Sequence, residues 1–286
     1  MSVLFREVAS GLGLTEGPLW TSRATLIVTS ITRGLVYEID PSSGATKVYA
    51  ETGGGPNGLA EDDEGTIWVA QNGGGHLGTR STRPTTPSIQ RIRDGVVEDV
   101  VTVGLASPND CVIAPDSRLW FTDPHGDPYE GDPVPGRIHA LDLRSGQLDL
   151  IVEGPLYPNG LAFGPGGEDF YVAETRTRRV LRAPYTGRGI GQLELFAQIP
   201  DGEPDGMTTD ADGNVYLANA GGSAVYVFDR DGAHLGRIDV GGGERVVVTN
   251  LCFGGPGLET AFLTVAKGGR VLACERADLL ARIDPS

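Results

Sequence analysis

The chain is 286 residues long with a formal charge of −15, its 38 Asp and Glu outweighing 23 Lys and Arg. That balance excludes a phosphate-backbone partner, which needs clustered basic side chains, so nucleic acid is not an expected ligand. Its 43 Gly and 19 Pro are more punctuation than a helical protein tolerates, while aliphatic residues are frequent enough to exclude disorder, leaving many short strands.

The chain opens with MSVLFREVASGLG, which lacks the apolar core of a signal peptide. No apolar run approaches the roughly 20 residues that cross a bilayer. A soluble, cytoplasmic protein without a membrane partner is the expectation. VLFREVAS reads as a lone strand ahead of a series of related units.

The first unit, TEGPLWTSRATLIVTSITRGLVYEID (15–40), runs from a strand through a turn into a second and a third strand. GPNGLAEDDEGTIWVAQN (55–72), SPNDCVIAPDSRLWFTDP (107–124), YPNGLAFGPGGEDFYVAET (157–175) and EPDGMTTDADGNVYLANA (203–220) repeat the pattern, with an aromatic in the second strand at Trp68, Trp120, Tyr171 and Tyr216. TNLCFGGPGLETAFLTVAKGGRVLACE (249–275) is the sixth. The aligned polar positions Glu16, Asn57, Asn109, Asn159, Asp205 and Asn250 lie 41 to 52 residues apart, the spacing of four-stranded propeller blades. Stretches such as TIWVA and VYLAN alternate with period two, which opposes helical repeats. The fold class is therefore all-β, a six-bladed β-propeller forming a single domain over 1–286. The last unit has only three strands, so VLFREVAS is expected to supply its outermost strand and fasten the ring.

Two connections are far longer than strand linkage requires: NGGGHLGTRSTRPTTPS after Gln71 and DPHGDPYEGDPVPG from Asp123. Loops of this length in a compact domain commonly cover sites, so segments 72–89 and 123–137 are expected to act as lids.

In a propeller, equivalent positions at the start of the innermost strands face the central channel at one end. The six aligned side chains then converge, two ionised and four neutral amides. A single PNG tripeptide is an ordinary turn. Its recurrence with an oxygen donor in every unit, including the poor turn former Glu16, argues for coordination. Oxygen donors without sulfur or imidazole suit hard divalent cations, and calcium accepts six to eight of them at about 2.3–2.6 Å in irregular geometry. Calcium leads, with zinc, manganese and magnesium as alternatives. Glu16 and Asp205 carry the charge that neutralises one such ion; without it each would raise the other's pKa.

TEGPLW, SPNDC, YPNGLAF, PDGMTTDADGNVYLA and TNLCFGG resemble the senescence marker protein/gluconolactonase/luciferin-regenerating enzyme family, also called regucalcin-like, over essentially the whole chain. The resemblance implies a six-bladed propeller with Glu16, Asn159 and Asp205 as metal ligands, Asn109 on the metal or the substrate beside it, and Asp205 as general base. It implies a metal-dependent lactonase acting on a small lactone or ester, the cation polarising the carbonyl while Asp205 deprotonates the attacking water. Sugar-lactone hydrolases of the family often carry Arg two residues before the matched Asn, where this chain has Ser107, which leaves the sugar-acid specificity open. A phosphotriesterase resembling diisopropyl fluorophosphatase has a similar cage, and a calcium-binding or interaction propeller without catalysis is a third reading.

Further substrate contacts are expected from Asn57 in the ring, from Asn72 at the end of a strand, and from His76 and His125 in the long loops. His139 and His234 read as structural, and Arg176, Arg178 and Arg179 as a solvated edge. Cys111, Cys252 and Cys274 form no CxxC, so no disulfide framework or zinc site is indicated. GGGH and VGGGE lack the setting of a phosphate loop.

Overall fold

The computed structural model describes residues 5–75 and 78–281. Six four-stranded sheets occupy residues 15–51, 56–101, 111–156, 158–198, 204–239 and 248–275, the last completed by Arg6–Ala9. The first strand of each sheet touches the first strands of both neighbouring sheets, so the six close into a ring around a central channel, a six-bladed β-propeller. Among the described residues, helix is confined to Arg276–Leu280 and the single turns Thr175–Thr177 and Pro256–Leu258. None of these is long and apolar enough to cross a membrane.

The second strands Ile67–Gln71, Leu119–Asp123 and Val215–Asn219 are buried at every position. The alternation expected of TIWVA and VYLAN thus becomes a continuous buried run, because a blade lies against each face of the sheet. The apolar side chains divide into six clusters, one at each junction between consecutive blades. Ile27, Val36 and Ala50 of the first blade, for instance, pack with Leu59, Ile67 and Val69 of the second. Full burial of such a side chain contributes about 1.5–3 kcal/mol. No blade holds a core within itself, so each depends on its two neighbours.

The N-terminal strand closes the ring as its sequence suggests. Arg6 pairs with Ala273 and Glu7 with Leu272, covering the edge of the last blade. Phe5 packs into the junction of blades five and six, while Val8, Ala9 and Leu12 pack between blades six and one. Residues 3 and 4 of the expected strand lie outside the described residues.

Turns at the lower face, away from the start of the inner strands, share one device. Asp62 Oδ1 accepts the backbone N–H groups of Glu64 and Thr66, and its Oδ2 accepts the indole N–H of Trp68 at 2.8 Å. Asp210 does the same for Asp212 and Asn214, and Tyr216 donates its hydroxyl to it at 2.9 Å. Such Asx turns use the Asp side chain to satisfy backbone donors. Blade three keeps the turn but has Ala114 in the Asp position, and the buried Nε1 of Trp120 has no hydrogen-bond partner among the described residues.

Candidate active site at the channel mouth

Glu16, Asn57, Asn159 and Asp205 are each the second residue of an inner strand: Thr15–Trp20, Pro56–Glu61, Pro158–Phe163 and Pro204–Thr209. In all four strands the pairing register slips right at these residues. A bulge of this kind re-aims a side chain away from the ladder, here toward the channel. Asn250 is the third residue of Val248–Gly254, and Asn109 lies two residues before the short inner strand Cys111–Ile113. Threonines of the preceding blade hold two of these backbones: Thr29 Oγ1 donates to Asn57 O and Thr122 Oγ1 to Asn159 O, both at 2.8 Å.

The position after the ring residue is where neighbouring inner strands meet. A Cβ on Gly17, at φ 46°, would stand 2.2 Å from Asn57 O, and one on Gly206 would stand 2.0 Å from Asn250 Cγ. Only glycine permits such an approach. In blade three that position holds Asp110, whose carboxyl is buried beside the ring. Asn250 Nδ2 reaches Asp110 Oδ2 from the opposite blade at 3.5 Å, so this pair spans the channel.

Three carboxyls therefore face one volume at the channel mouth, Glu16 and Asp110 buried and Asp205 half-buried. Burial, and after it the charge of Asp110, pushes Glu16 up, against the hydrogen bonds from Gly17 N–H and Asn250. Burial alone raises Asp110 to about 7, opposed by donors from Cys111, Asn250 and Leu161. Asp205 is held well above the usual carboxylate range by burial and then by Glu16, with Asp110 and Glu203 adding to it and Asn159 opposing. Desolvation and like charges act in the same direction here.

Of the residues singled out by sequence, Glu16, Asn159 and Asp205 come together in this volume. Asn57 is buried, and its Oδ1 has no partner among the described residues. Asn109 is half-buried; its N–H bonds Thr122 O and its carbonyl accepts Gly58 N–H. Asn72 spends its Oδ1 on Gly74 N–H within its own loop. His125 places Nε2 3.8 Å from Asp123 Oδ2, with His139 Nε2 3.7 Å away on the same oxygen. Asp123 accepts the N–H groups of Ala106 and Ser107, which sets the segment that carries Asn109. His76 lies outside the described residues.

Both long loops lie at the same end of the channel as the ring. The first, described at 72–75 and 78–87, leans on blade one through Arg80 N–H to Thr32 O and Arg83 Nη1 to Glu51 O. The second, 124–134, is fastened by Arg176 Nη2 to Gly131 O at 2.6 Å and brings Tyr129 within reach of Glu203 and Asp205. Of the expected solvated edge, Arg178 is exposed, while Arg176 ties down a loop and Arg179 pairs with buried Glu174 at 2.5 Å. All three thiols are pushed up by burial, which suits inert packing residues.

Sequence reasoning missed Asp110, Glu203, Tyr129 and Tyr157. Asp110 had a signal, since SPND places Asp where GPNG, YPNG and EPDG place Gly. Among the described residues no cluster of three or more His, Cys, Asp and Glu side chains forms a metal site on its own. The donor set is instead mixed, carboxylates with amide oxygens including the orphaned Asn57 Oδ1, and it fits a hard divalent cation.

The sequence model described as SMP-30/Gluconolactonase/LRE-like region matches residues 14–267. A pentonolactonase of Haloferax volcanii is 31% identical over 272 residues, 92% of this chain and 85% of its own. A gluconolactonase of Zymomonas mobilis subsp. mobilis is 28% identical, over 93% of this chain and 80% of its own. The solved structure of a gluconolactonase from Xanthomonas campestris superposes with a TM-score of 0.78 at 25% identity, covering 94% of this chain and 88% of that one. The match runs through all six inner strands that build the ring, and on that ground the chain belongs to the SMP-30/gluconolactonase/LRE-like family.

Proposed function

We propose that this protein hydrolyses a lactone at the upper mouth of the channel, with a divalent cation held by Glu16, Asn109, Asn159 and Asp205. One observation carries the reading: Glu16, Asp205 and Asp110 are confined together with amide oxygens in a volume where three bare carboxylates repel. The pentonolactonase and gluconolactonase relatives support the lactone as substrate class. A hard cation, calcium by the donor chemistry, supplies the positive charge that polarises an ester carbonyl and steadies developing negative charge.

The chain's own groups supply the rest. Asn159, which favours the ionised form of Asp205, would help orient its carboxylate. A carboxylate beside the cation and the bound ester is placed to take a proton from the attacking water, and we assign Asp205 as that general base. It takes a proton from water as the water oxygen bonds to the acyl carbon. The ring C–O bond then breaks, and the departing oxygen recovers a proton to leave a hydroxy acid.

The test is proton release from an aldonolactone by purified protein before chelation, after it, and after calcium is restored. Turnover should vanish with the metal and return with calcium, and Asp205→Asn should stay inactive throughout. Full turnover in chelator, or by Asp205→Asn, defeats the proposal.

A further inference from the structure

The residue before each inner-strand Pro stands one step above the ring: Gly55, Ser107, Tyr157 and Glu203 in the four XP motifs. This rim carries an aromatic and a carboxylate and no cation. Tyr157 is held there at φ 60°, a region a bulky side chain rarely adopts, and it is buried. The surroundings impose it: Tyr157 O accepts Thr175 N–H, and Pro158 presses on Gly136, where a Cβ would lie 2.3 Å from Pro158 Cδ. Backbone held this way clusters at ligand sites.

Thr175 and Arg176 tie the neighbouring pieces to Tyr157: Thr175 Oγ1 donates to Pro204 O, next to Glu203, and Arg176 Nη2 donates to Gly131 O in the loop 124–134. The Tyr157 phenol lies in the field of Asp205, Tyr129 and Asp127. Tyr129 comes from the loop 124–134, whose turn is built by Asp127 Oδ1 accepting the N–H groups of Tyr129 and Glu130 and fastened by Arg176. The Tyr129 phenol lies in the field of Glu203 and Asp205. The charges acting on Asp205 from Glu16, Asp110 and Glu203 are all negative, and the nearby Arg176 and Arg179 are engaged with Gly131 O and Glu174.

We propose that Tyr157, Tyr129 and Glu203 form a specificity rim that grips the non-reacting hydroxyls of an uncharged lactone and rejects lactones bearing a carboxylate or phosphate. The proposal rests on the lactone-hydrolase reading above. Glu203 accepts from substrate hydroxyls, the two phenols donate or accept, and the Tyr157 ring supplies an apolar wall, the usual make-up of a small-molecule pocket. The same carboxylate works against an anionic competitor, so discrimination comes from repulsion as well as contact.

Non-hydrolysable lactams separate this rim from the chemistry. Calorimetry on the calcium-loaded protein compares a polyhydroxylated lactam with the same lactam carrying a terminal carboxylate. The neutral one should bind about tenfold or more tighter, and Glu203→Gln should narrow that ratio to about threefold by improving the anionic ligand. Tyr157→Phe and Tyr129→Phe should each weaken the neutral lactam about three- to tenfold. In turnover they should raise KM for a hydroxylated lactone, with kcat and the melting temperature nearly unchanged and δ-valerolactone, which has no hydroxyls, unaffected. Equal binding of both lactams, no binding of either, or variants that shift every ligand alike overturns the rim. If the binding pattern holds while no lactone is hydrolysed, the rim stands and the hydrolase reading falls.

Discussion

The two ends of the central channel are built from the same six strands, a few residues apart, and they differ in nearly every physical respect. At the upper end the pairing register slips, and the strands deliver Glu16, Asn57, Asn159 and Asp205. Past that slip the ladder is regular, and Leu59, Cys111, Leu161, Met207 and Cys252 line a cavity of about 330 Å³. Asp110 and Asn250, joined across the axis, stand between the two. The lower end seals apolar surface between blades, and that seal keeps the upper carboxyls poorly solvated. Polar function above and stability below are separate properties of one strand.

Substitutions that strike one end only sharpen this contrast. The largest effect is expected of Asp205→Asn: a loss of turnover of about 10²–10⁴-fold, the usual contribution of a positioned acid or base. The metal-free variant should melt at the same temperature or higher, because a carboxyl raised by burial and by Glu16 has been neutralised. A large drop in melting temperature would show the two ends to be coupled. At the other end, Leu161, buried between blades three and four, should cost about 2–5 kcal/mol when cut to Ala. Chemical denaturation reads that loss, and kcat measured well below the melting temperature should change little.

pH separates the ends next. In the metal-free protein the folded state keeps a proton on Asp110 up to about 7, which the unfolded chain has lost by the ordinary carboxylate range. The folded state therefore binds more protons over that window, and stability falls as pH rises through it. Glu16 and Asp205 are raised in the same sense and extend the fall upward. Melting temperatures in chelator should decline across this range, and saturating calcium should flatten the decline. A flat profile in chelator contradicts the raised carboxyls.

The smallest effect tests the lower face. Ala114→Asp restores the partner that Asp62 gives Trp68 and Asp210 gives Tyr216, and supplies the orphaned Trp120 N–H. One hydrogen bond to an otherwise unsatisfied group should add about 1 kcal/mol of stability, with activity unchanged. A destabilised variant would mean that the site cannot accept the charge.

Much of the fold was legible because it is repetitive. The six aligned positions, the Asp-to-aromatic turns and the missing strand of the last unit are periodic in sequence, and periodicity survives divergence. The site was legible as far as the period reached: Glu16, Asn159 and Asp205 occupy the same place in their units. Asp110 was hidden because it occupies a position that is Gly in three other units, and its importance comes from Asn250, far away in the chain and opposite in the ring. Tyr129 and Tyr157 were hidden for a different reason. A loop's path and a left-handed backbone are imposed by contacts, Arg176 with Gly131 and Pro158 with Gly136, which no local pattern encodes.

By itself the sequence determined the number of blades, the closure by the N-terminal strand and the chemistry of the ring, since these follow from repeated local preferences of short strands and turns. Only the tertiary structure decided how close the carboxyls stand, which Asn meets which Asp, and which aromatic rings border the mouth. Those depend on distances between blades that are remote in sequence, and burial at that meeting point is what raises these carboxyls above their ordinary range.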